Sequence, residues 1–262
     1  RLNMNETVLL SNVGSTAVIT LNRPEKLNAW DTPMREALAE MLGEVNASSE
    51  FRSVVITGSG DRAFSAGQDL DETMHFSSGH EGQNWFLTWR DFYDSIRNLD
   101  KPCIAALNGV AAGSAFQFAM LTDIRVGHAN SHMGQPEINS GIASVLGPLL
   151  MAPRIGLSRT IELTLTGRMM DGVECETIGL IQHLVDQGQV TDVALEIAED
   201  LGRKAPVAMR LNRQRFREMT QPAFDEAFSS GMEIQKEAFA SGEPQAAMKE
   251  FFEQRKKKKE SS

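Results

Sequence analysis

The chain has 262 residues, 41% of them hydrophobic and 23% charged, a composition that fits a folded globular protein and excludes fibrous and disordered chains. Its 26 basic and 35 acidic residues give a net charge of −9, which argues against nucleic acid as a partner. No apolar run reaches the roughly 18 residues of a membrane-spanning helix and no signal-peptide pattern opens the chain, so we expect a cytoplasmic protein without membrane contact.

The first half of the chain alternates strand and helix patterns. Residues 17–21 and 53–57 are runs rich in β-branched side chains between Asn, Gly and Pro residues, and these runs predict two strands. Between them Pro33 follows Asp31 and Thr32, which is typical of a helix start, and apolar side chains then recur at helical spacing. The pattern therefore indicates an α/β fold.

A second helix is predicted by a stripe of large side chains at helical spacing: Trp85, Trp89, Phe92, Tyr93 and Ile96. An aromatic stripe of this kind packs in the core of a protein or lines a binding pocket. The sequence alone leaves both interpretations open.

The middle of the chain contains a strand, a glycine turn and a helix start. Residues 102–120 begin as an apolar strand and resume as an apolar helix after Gly113. Another strand is predicted at 124–126, whereas Gly134 and Pro136 make a long strand improbable in the segment that follows.

After about residue 190 the predicted elements are all helices, the first of them capped by Thr191. We therefore divide the chain into a core, residues 1–190, and a C-terminal helical region, residues 191–262. The apolar stripes of these helices must be buried, and docking on a neighbouring subunit is one way to bury them.

Two glycine turns are candidates for chemistry. The small residues 65–67 let the backbone approach a ligand, and the next amide is that of Gln68. The amide of Ser114, after Gly113, lies at the predicted start of a helix, where N–H groups lack intrahelical partners. If the two amides converge on one oxygen, they form an oxyanion hole.

The cysteine and histidine residues suggest no further site. Cys103 and Cys175 are too few for a disulfide framework, and we expect both in the core. His128 and His132 stand four residues apart without the glutamate of a zinc-binding helix motif, so we expect no metal site.

From about Thr16 to Val185 the chain resembles the enoyl-CoA hydratase/isomerase family, the crotonases. Five segments carry the resemblance in order: ITLNRPEKLNAW (19–30), AFSAGQDLDE (63–72), IAALNGVAAGSAF (104–116), DIRVGHANSHMGQPEINSGI (123–142) and LTGRMMDGVECETIGLIQHLV (165–185). The resemblance implies an α/β spiral of ββα units with a C-terminal helical oligomerisation layer, and a homotrimer or homohexamer. It also implies an acyl-CoA thioester substrate and no cofactor other than the coenzyme A of that substrate.

The same resemblance implies roles for individual residues. The oxyanion-hole amides fall on Gln68 and Ser114, although the family commonly has three glycines where this chain has Gly113, Ser114 and Ala115. The positions near coenzyme A are Arg23, Lys26, Leu27, Ala66, Asp69, Leu70, Lys256 and Lys257. The acyl-pocket positions are Met74, Trp85 and Trp89.

The acid/base positions decide the expected reaction. Family hydratases carry two glutamates; here the second is Glu137, and the first falls on Gln117. A carboxamide does not exchange protons usefully near neutral pH, whereas one carboxylate suffices to move a proton from C2 to C4 of a thioester enolate. We therefore expect an enoyl-CoA isomerase with Glu137 as its single base, enoyl-CoA hydratase being the alternative. A noncatalytic acyl-CoA-binding oligomer is the alternative of another class.

Overall fold

The computed structural model of the protein describes residues 6–260, apart from the side chains of residues 255, 256 and 258–260. The strands run in the order β1 (Val8–Val13), β2 (Thr16–Leu21), β3 (Ser53–Gly58), β4 (Ala63–Ser65), β5 (Cys103–Ala106), β6 (Val110–Ala112), β7 (Ile124–Gly127), β8 (His132–Gly134), β9 (Met169–Asp171) and β10 (His183–Leu184). The helices are α1 (Thr32–Ala47), α2 (Gly79–Arg97), α3 (Ser114–Leu121), α4 (Leu146–Ile155), α5 (Leu157–Thr166), α6 (Gly172–Thr177), α7 (Val190–Gly202), α8 (Pro206–Ser241) and α9 (Glu243–Glu260).

The larger sheet has six strands in the order β1-β2-β3-β5-β7-β10, and all neighbours are parallel except the β1–β2 hairpin. All six residues of β3 are buried, because the main core packs on one face of the sheet and α7 packs on the other. The strands predicted at 17–21, 53–57 and 124–126 are confirmed as β2, β3 and β7.

The smaller sheet has the order β4-β6-β8-β9, in which β4, β6 and β8 are parallel. The two glycine turns follow β4 and β6 directly, and residues 136–140, a short 3₁₀ helix, follow β8. Since parallel strands end at the same edge of a sheet, these three segments emerge side by side. The candidate site lies at this edge.

The helices around this edge begin where the sequence indicates. The Asp31 carboxylate accepts a hydrogen bond from the Met34 amide at 3.1 Å and caps α1, which confirms the predicted start of that helix. Helix α2 begins with a capping box between Ser78 and Glu81. Its aromatic face is buried against α1, α3 and α8.

The C-terminal helices divide into two kinds. Helix α7 covers β3, β5 and β7, whereas α8 runs along α2, and α9 turns back after Gly242 to contact residues 136–140. Thr191, the predicted cap of α7, lies inside the helix instead, because the helix begins one residue earlier, at Val190. Within residues 6–260 no helix combines the length and apolar character needed to cross a membrane.

Candidate active site

A cavity of about 1050 Å³ opens at the carboxyl edge of the smaller sheet. Its wall includes the four residues predicted for chemistry: Gln68, Ser114, Gln117 and Glu137. Helix α2, the segment 139–146 and two side chains of α9, Phe251 and Phe252, complete the enclosure. Residues far apart in the sequence thus share one site.

The two glycine turns are in close contact. A Cβ atom on Gly67 would lie 2.5 Å from the carbonyl oxygen of Ala112 and 3.3 Å from the nitrogen of Ser114, so only glycine fits there. Gly67 and Gly113 both have positive φ angles, 87° and 58°, which glycine adopts without strain. The amides of Gln68 and Ser114, each one residue further on, therefore border the same part of the cavity.

Neither amide donates to a backbone carbonyl in the turns and helix caps of the described residues. Ser114 is the first residue of α3, where an N–H group has no partner within the helix. The bonds around Gln68 are made by its neighbours: Trp30 donates from its backbone to Gly67 O at 2.9 Å, and Asp69 donates to Trp30 O at 2.9 Å. These bonds do not use the amide of Gln68.

Trp30, which sequence reasoning did not identify, joins the two turns. Its backbone pairs with the first turn, and its indole Nε1 donates to the Ser114 hydroxyl at 3.0 Å. The side chain is fully buried and packs edge-on against Phe92 and Phe118. The serine that replaces a family glycine at position 114 thus accepts a hydrogen bond that glycine cannot accept.

Glu137 lies in the 3₁₀ helix after β8, next to the second turn. A Cβ atom on Gly113 would lie 3.5 Å from the Glu137 Oε1 atom. The Oε2 atom is buried and accepts no hydrogen bond from any residue of the described chain. Burial raises the pKa of Glu137 from 4.5 to about 7, while a hydrogen bond from Gln117 acts in the opposite direction. A carboxyl group with this pKa is suited to exchange protons near neutral pH.

The orientation of the Gln117 amide is fixed by Tyr93 at one end and by Gln135 at the other. The Tyr93 hydroxyl donates to Gln117 Oε1 at 2.6 Å, and burial raises the pKa of this hydroxyl well above its ordinary value, so it stays protonated. The Gln117 Nε2 atom therefore faces Glu137 Oε1 at 3.1 Å and Gln135 Oε1 at 2.9 Å. Gln117 is a hydrogen-bond donor to the carboxylate.

Gln135 completes this network. Its Nε2 atom donates to the carbonyl of Gly113 at 3.1 Å, so its Oε1 atom must face the other way. That oxygen accepts from Gln117 and, at 3.1 Å, from the Ser144 hydroxyl. Gln135 is 1% exposed, and its role could not be recognised from the sequence because its three partners, Gly113, Gln117 and Ser144, come from other segments.

Most residues predicted near coenzyme A lie at one end of the cavity: Lys26, Leu27, Ala66, Asp69 and Leu70. The Lys26 ammonium group pairs with Asp69 at 2.9 Å and with Asp71 at 2.7 Å. The hydrogen bond that Lys26 donates to Asp71, followed by the one that it donates to Asp69, raises the pKa of Lys26. A phosphate group at this end would compete with these two carboxylates for the lysine.

Arg23 and Lys257, two cations that were predicted near coenzyme A, lie outside the cavity wall. Arg23 is not part of the cavity wall; its guanidinium group pairs with Asp69 at 3.2 Å and with Asp31 at 3.4 Å. The Lys256 side chain lies outside the described residues. Lys257 is exposed on α9, beyond the phenylalanines of the cavity wall.

At the other end, Trp85 and Trp89 line the cavity and also contact each other edge-on, with ring centres 5.9 Å apart. The aromatic stripe of α2 therefore serves both the core and the pocket. Met74 is not among the residues of the cavity wall and packs instead near Phe239 and Met248. Helix α9 covers this segment, since the Thr73 hydroxyl donates to the sulfur of the fully buried Met248 at 3.4 Å.

The remaining candidate residues are the two cysteines and the possible metal ligands. Cys103 and Cys175 are buried, as predicted, and burial raises the pKa of both thiols to about 12. Among the residues that the structure describes, no cluster of three or more His, Cys, Asp or Glu side chains is arranged to hold a metal ion.

The sequence matches the enoyl-CoA hydratase/isomerase family over residues 12–261. It is 32% identical to the short-chain-enoyl-CoA hydratase of Clostridium acetobutylicum over 250 residues, 95% of each chain. It is 33% identical to the carnitinyl-CoA dehydratase of Shigella flexneri over 229 residues, which are 86% of this chain and 85% of that protein.

The fold is shared with solved structures. An enoyl-CoA hydratase/isomerase from Mycobacterium paratuberculosis superposes with a TM-score of 0.86 at 23% identity, over 95% of this chain and 99% of the other. The predicted crotonase-like α/β architecture with a C-terminal helical region is therefore confirmed.

Proposed function

Because the chain belongs to the enoyl-CoA hydratase/isomerase family, we propose that it transforms an enoyl-CoA thioester through an enolate, with Glu137 as its single acid–base. The observation that carries the proposal is the position of Glu137. Its carboxylate lies beside the Gly113 turn, whose next amide belongs to Ser114, and both face the same cavity. One base and two amide donors are the groups that enolate formation needs.

The proposed reaction begins with the thioester oxygen accepting hydrogen bonds from the amides of Gln68 and Ser114. Glu137 removes a proton from C2, and the electron pair moves onto the thioester oxygen. The same carboxyl group returns the proton at C4, so a double bond between C3 and C4 shifts to C2 and C3. Each amide donor is worth about a hundredfold to a thousandfold in rate.

The side chain of Gln117 and its hydrogen bonds favour isomerisation over hydration. Gln117 donates both of its amide hydrogens, to Glu137 and to Gln135, and receives one from Tyr93. It has no proton to exchange with a water molecule or a substrate carbon near neutral pH. Hydration requires an activated water at one carbon of the double bond and a proton at the next. Two carboxylates are suited to supply them.

Hydration is the second candidate, and the names of relatives support it. The relatives from Clostridium acetobutylicum and Shigella flexneri are named a hydratase and a dehydratase. These names favour hydration over isomerisation, so the isomerase proposal depends on the chemistry of Gln117 alone. In a hydratase with this site, Glu137 would have to activate water and return its proton.

The two reactions are distinguished by offering the purified protein a 3-enoyl-CoA and a 2-enoyl-CoA. We expect the first double bond to move rapidly and the second substrate to hydrate slowly. Glu137→Gln should abolish both reactions, whereas Glu36→Gln, on the exposed face of α1, serves as the matched control. Rapid hydration that survives Glu137→Gln would reject the single-base mechanism. Tight acyl-CoA binding without any turnover would instead support the noncatalytic alternative.

We also propose that the chain forms a homotrimer or homohexamer. Exposed apolar side chains recur along α5: Leu157, Ile161 and Leu165 are 65%, 49% and 65% exposed. On α8, Phe216 and Met219 are 64% and 63% exposed. Burial of such surfaces between subunits is favourable, and light scattering of the purified protein tests the state directly. The division at residue 190, the cytoplasmic location and the absence of any other cofactor stay predictions.

A further inference from the structure

Gln235 brings a polar group into the apolar end of the cavity. It lies on α8, is 2% exposed, and belongs to the cavity wall together with Trp85 and Phe86 of α2. No residue of the proposed mechanism contacts it among the hydrogen bonds of the described chain. A buried amide in an apolar pocket is unfavourable unless its donor and acceptor atoms are both paired.

Only one half of this amide is paired. The Gln235 Nε2 atom donates to the carbonyl of Ala143 at 2.7 Å. Because a carbonyl oxygen only accepts, the amide cannot be turned over, and its Oε1 atom must face away from Ala143. That Oε1 atom is buried and accepts no hydrogen bond from the part of the chain that the structure describes. The group that completes it must be a hydrogen-bond donor.

Two hydrogen-bond donors without an acceptor among the described residues lie on the same cavity wall as the Gln235 acceptor. The indole Nε1 atoms of Trp85 and Trp89 are buried and donate to no oxygen of the described residues. Trp85 packs edge-on against Phe239, one helical turn from Gln235 on α8, and Trp89 contacts Trp85. All three polar side chains line the same cavity. A hydroxyl group both donates and accepts, and therefore matches a free carbonyl beside free N–H groups.

We infer that the acyl group of the substrate carries a hydroxyl on its distal part, which donates to Gln235 Oε1 and is contacted by the tryptophan pair. The inference rests on the proposed function, because it assigns the apolar end of the cavity to the acyl group. A carboxylate at this position is disfavoured, since it offers no donor to the fixed Oε1 atom. A purely hydrocarbon chain leaves that atom unpaired.

The test compares ω-hydroxyacyl-CoA thioesters of increasing length with alkyl thioesters that carry a methyl group in place of each hydroxyl. Binding to the full-length protein is measured by calorimetry. At the length that reaches Gln235, we expect the hydroxylated thioester to bind at least about tenfold more tightly. Gln235→Met should reduce that ratio to near one. The matched control is Gln245→Met, which removes another amide with a buried Oε1 atom, lies outside the cavity wall and should preserve the ratio.

Each outcome separates this inference from the proposed function. Equal binding of every pair by the wild-type protein would overturn the inference, as would a preference that survives Gln235→Met. If Gln235→Met does not fold, the wild-type comparison still decides the question. Failure of the protein to bind any acyl-CoA would instead reject the proposed function, because both members of each pair carry the same thioester and coenzyme.

Discussion

The Tyr93 hydroxyl donates a hydrogen bond of 2.6 Å to Oε1 of Gln117, and this bond, together with Gln135, which accepts from Nε2 at 2.9 Å, determines which end of the Gln117 amide meets Glu137. The Nε2 end faces the carboxylate at 3.1 Å. A carboxylate that accepts a hydrogen bond is stabilised in its charged form, so Gln117 opposes the effect of burial on the pKa of Glu137. Tyr93 and Gln117 therefore adjust the pKa of Glu137 without taking part in proton transfer.

Removing the Tyr93 hydroxyl should change the pH dependence of the reaction. In Tyr93→Phe the Gln117 Oε1 atom loses its donor and only Gln135 still holds the amide, so the amide is less firmly fixed, Glu137 loses its donor part of the time, and its pKa rises. We expect the rising limb of the pH–rate profile to move to higher pH and kcat to fall by about tenfold, with little change in KM. A uniform loss of activity with an unchanged profile would show that Tyr93 acts only through packing.

Gln117→Glu should convert part of the activity towards hydration. The new carboxylate would lie where Nε2 now contacts Glu137, so the two acids would share a proton and the pKa of Glu137 would rise further. The Tyr93 hydroxyl remains available to one oxygen of the new side chain. We expect the ratio of hydration to isomerisation to increase at least about tenfold. An unchanged ratio would mean that position 117 does not act on the substrate or its water.

Ser114→Ala keeps the amide of residue 114 but leaves the buried indole N–H of Trp30 without its acceptor. An unpaired buried donor costs about 1–3 kcal/mol, so we expect a lower free energy of unfolding and a several-fold loss in kcat. Ser114→Thr keeps the hydroxyl and should retain most of the stability and most of kcat. Chemical denaturation and steady-state kinetics measure these effects. If alanine and threonine behave alike, the Trp30 bond does not hold the turns together.

The buried carboxyl group of Glu137 should make stability depend on pH. Its pKa rises from 4.5 to about 7 on folding, so the folded state favours the protonated form. Its contribution to stability is present below pH 4.5 and is lost as the pH rises through 7, a change of about 3 kcal/mol. Glu137→Gln carries no such proton. Relative to the wild type, the variant should therefore gain stability between pH 4 and pH 8, as measured by denaturation; a constant difference would contradict the burial of this group.

The sequence predicted the fold because its signals are local or repeated. The β-branched runs of β2 and β3, the Asp31 cap and the glycine turns each extend over a few neighbouring residues. Because each glycine turn is a local signal, Gln68 and Ser114 could be selected from the sequence, and both lie on the cavity wall. Motifs and periodicity describe the chain one segment at a time, which is sufficient for elements and turns.

Contacts between distant segments could not be predicted in this way. Trp30 and Ser114 are 84 residues apart, and Tyr93 and Gln117 are 24 apart, yet each pair shares a hydrogen bond. Such pairs leave no periodic pattern in the sequence. The same limitation explains Arg23, which pairs with acidic neighbours instead of lining the cavity, and Met74, which α9 covers.

The most direct test of the central claim is exchange of the C2 protons of a saturated acyl-CoA into heavy water, followed by nuclear magnetic resonance. A saturated thioester cannot be hydrated or isomerised, so exchange reports only enolate formation at the amides of Gln68 and Ser114. We expect exchange by the wild-type protein and a loss of about a hundredfold to ten-thousandfold in Glu137→Gln. Exchange that is equally fast in both proteins would contradict the central claim.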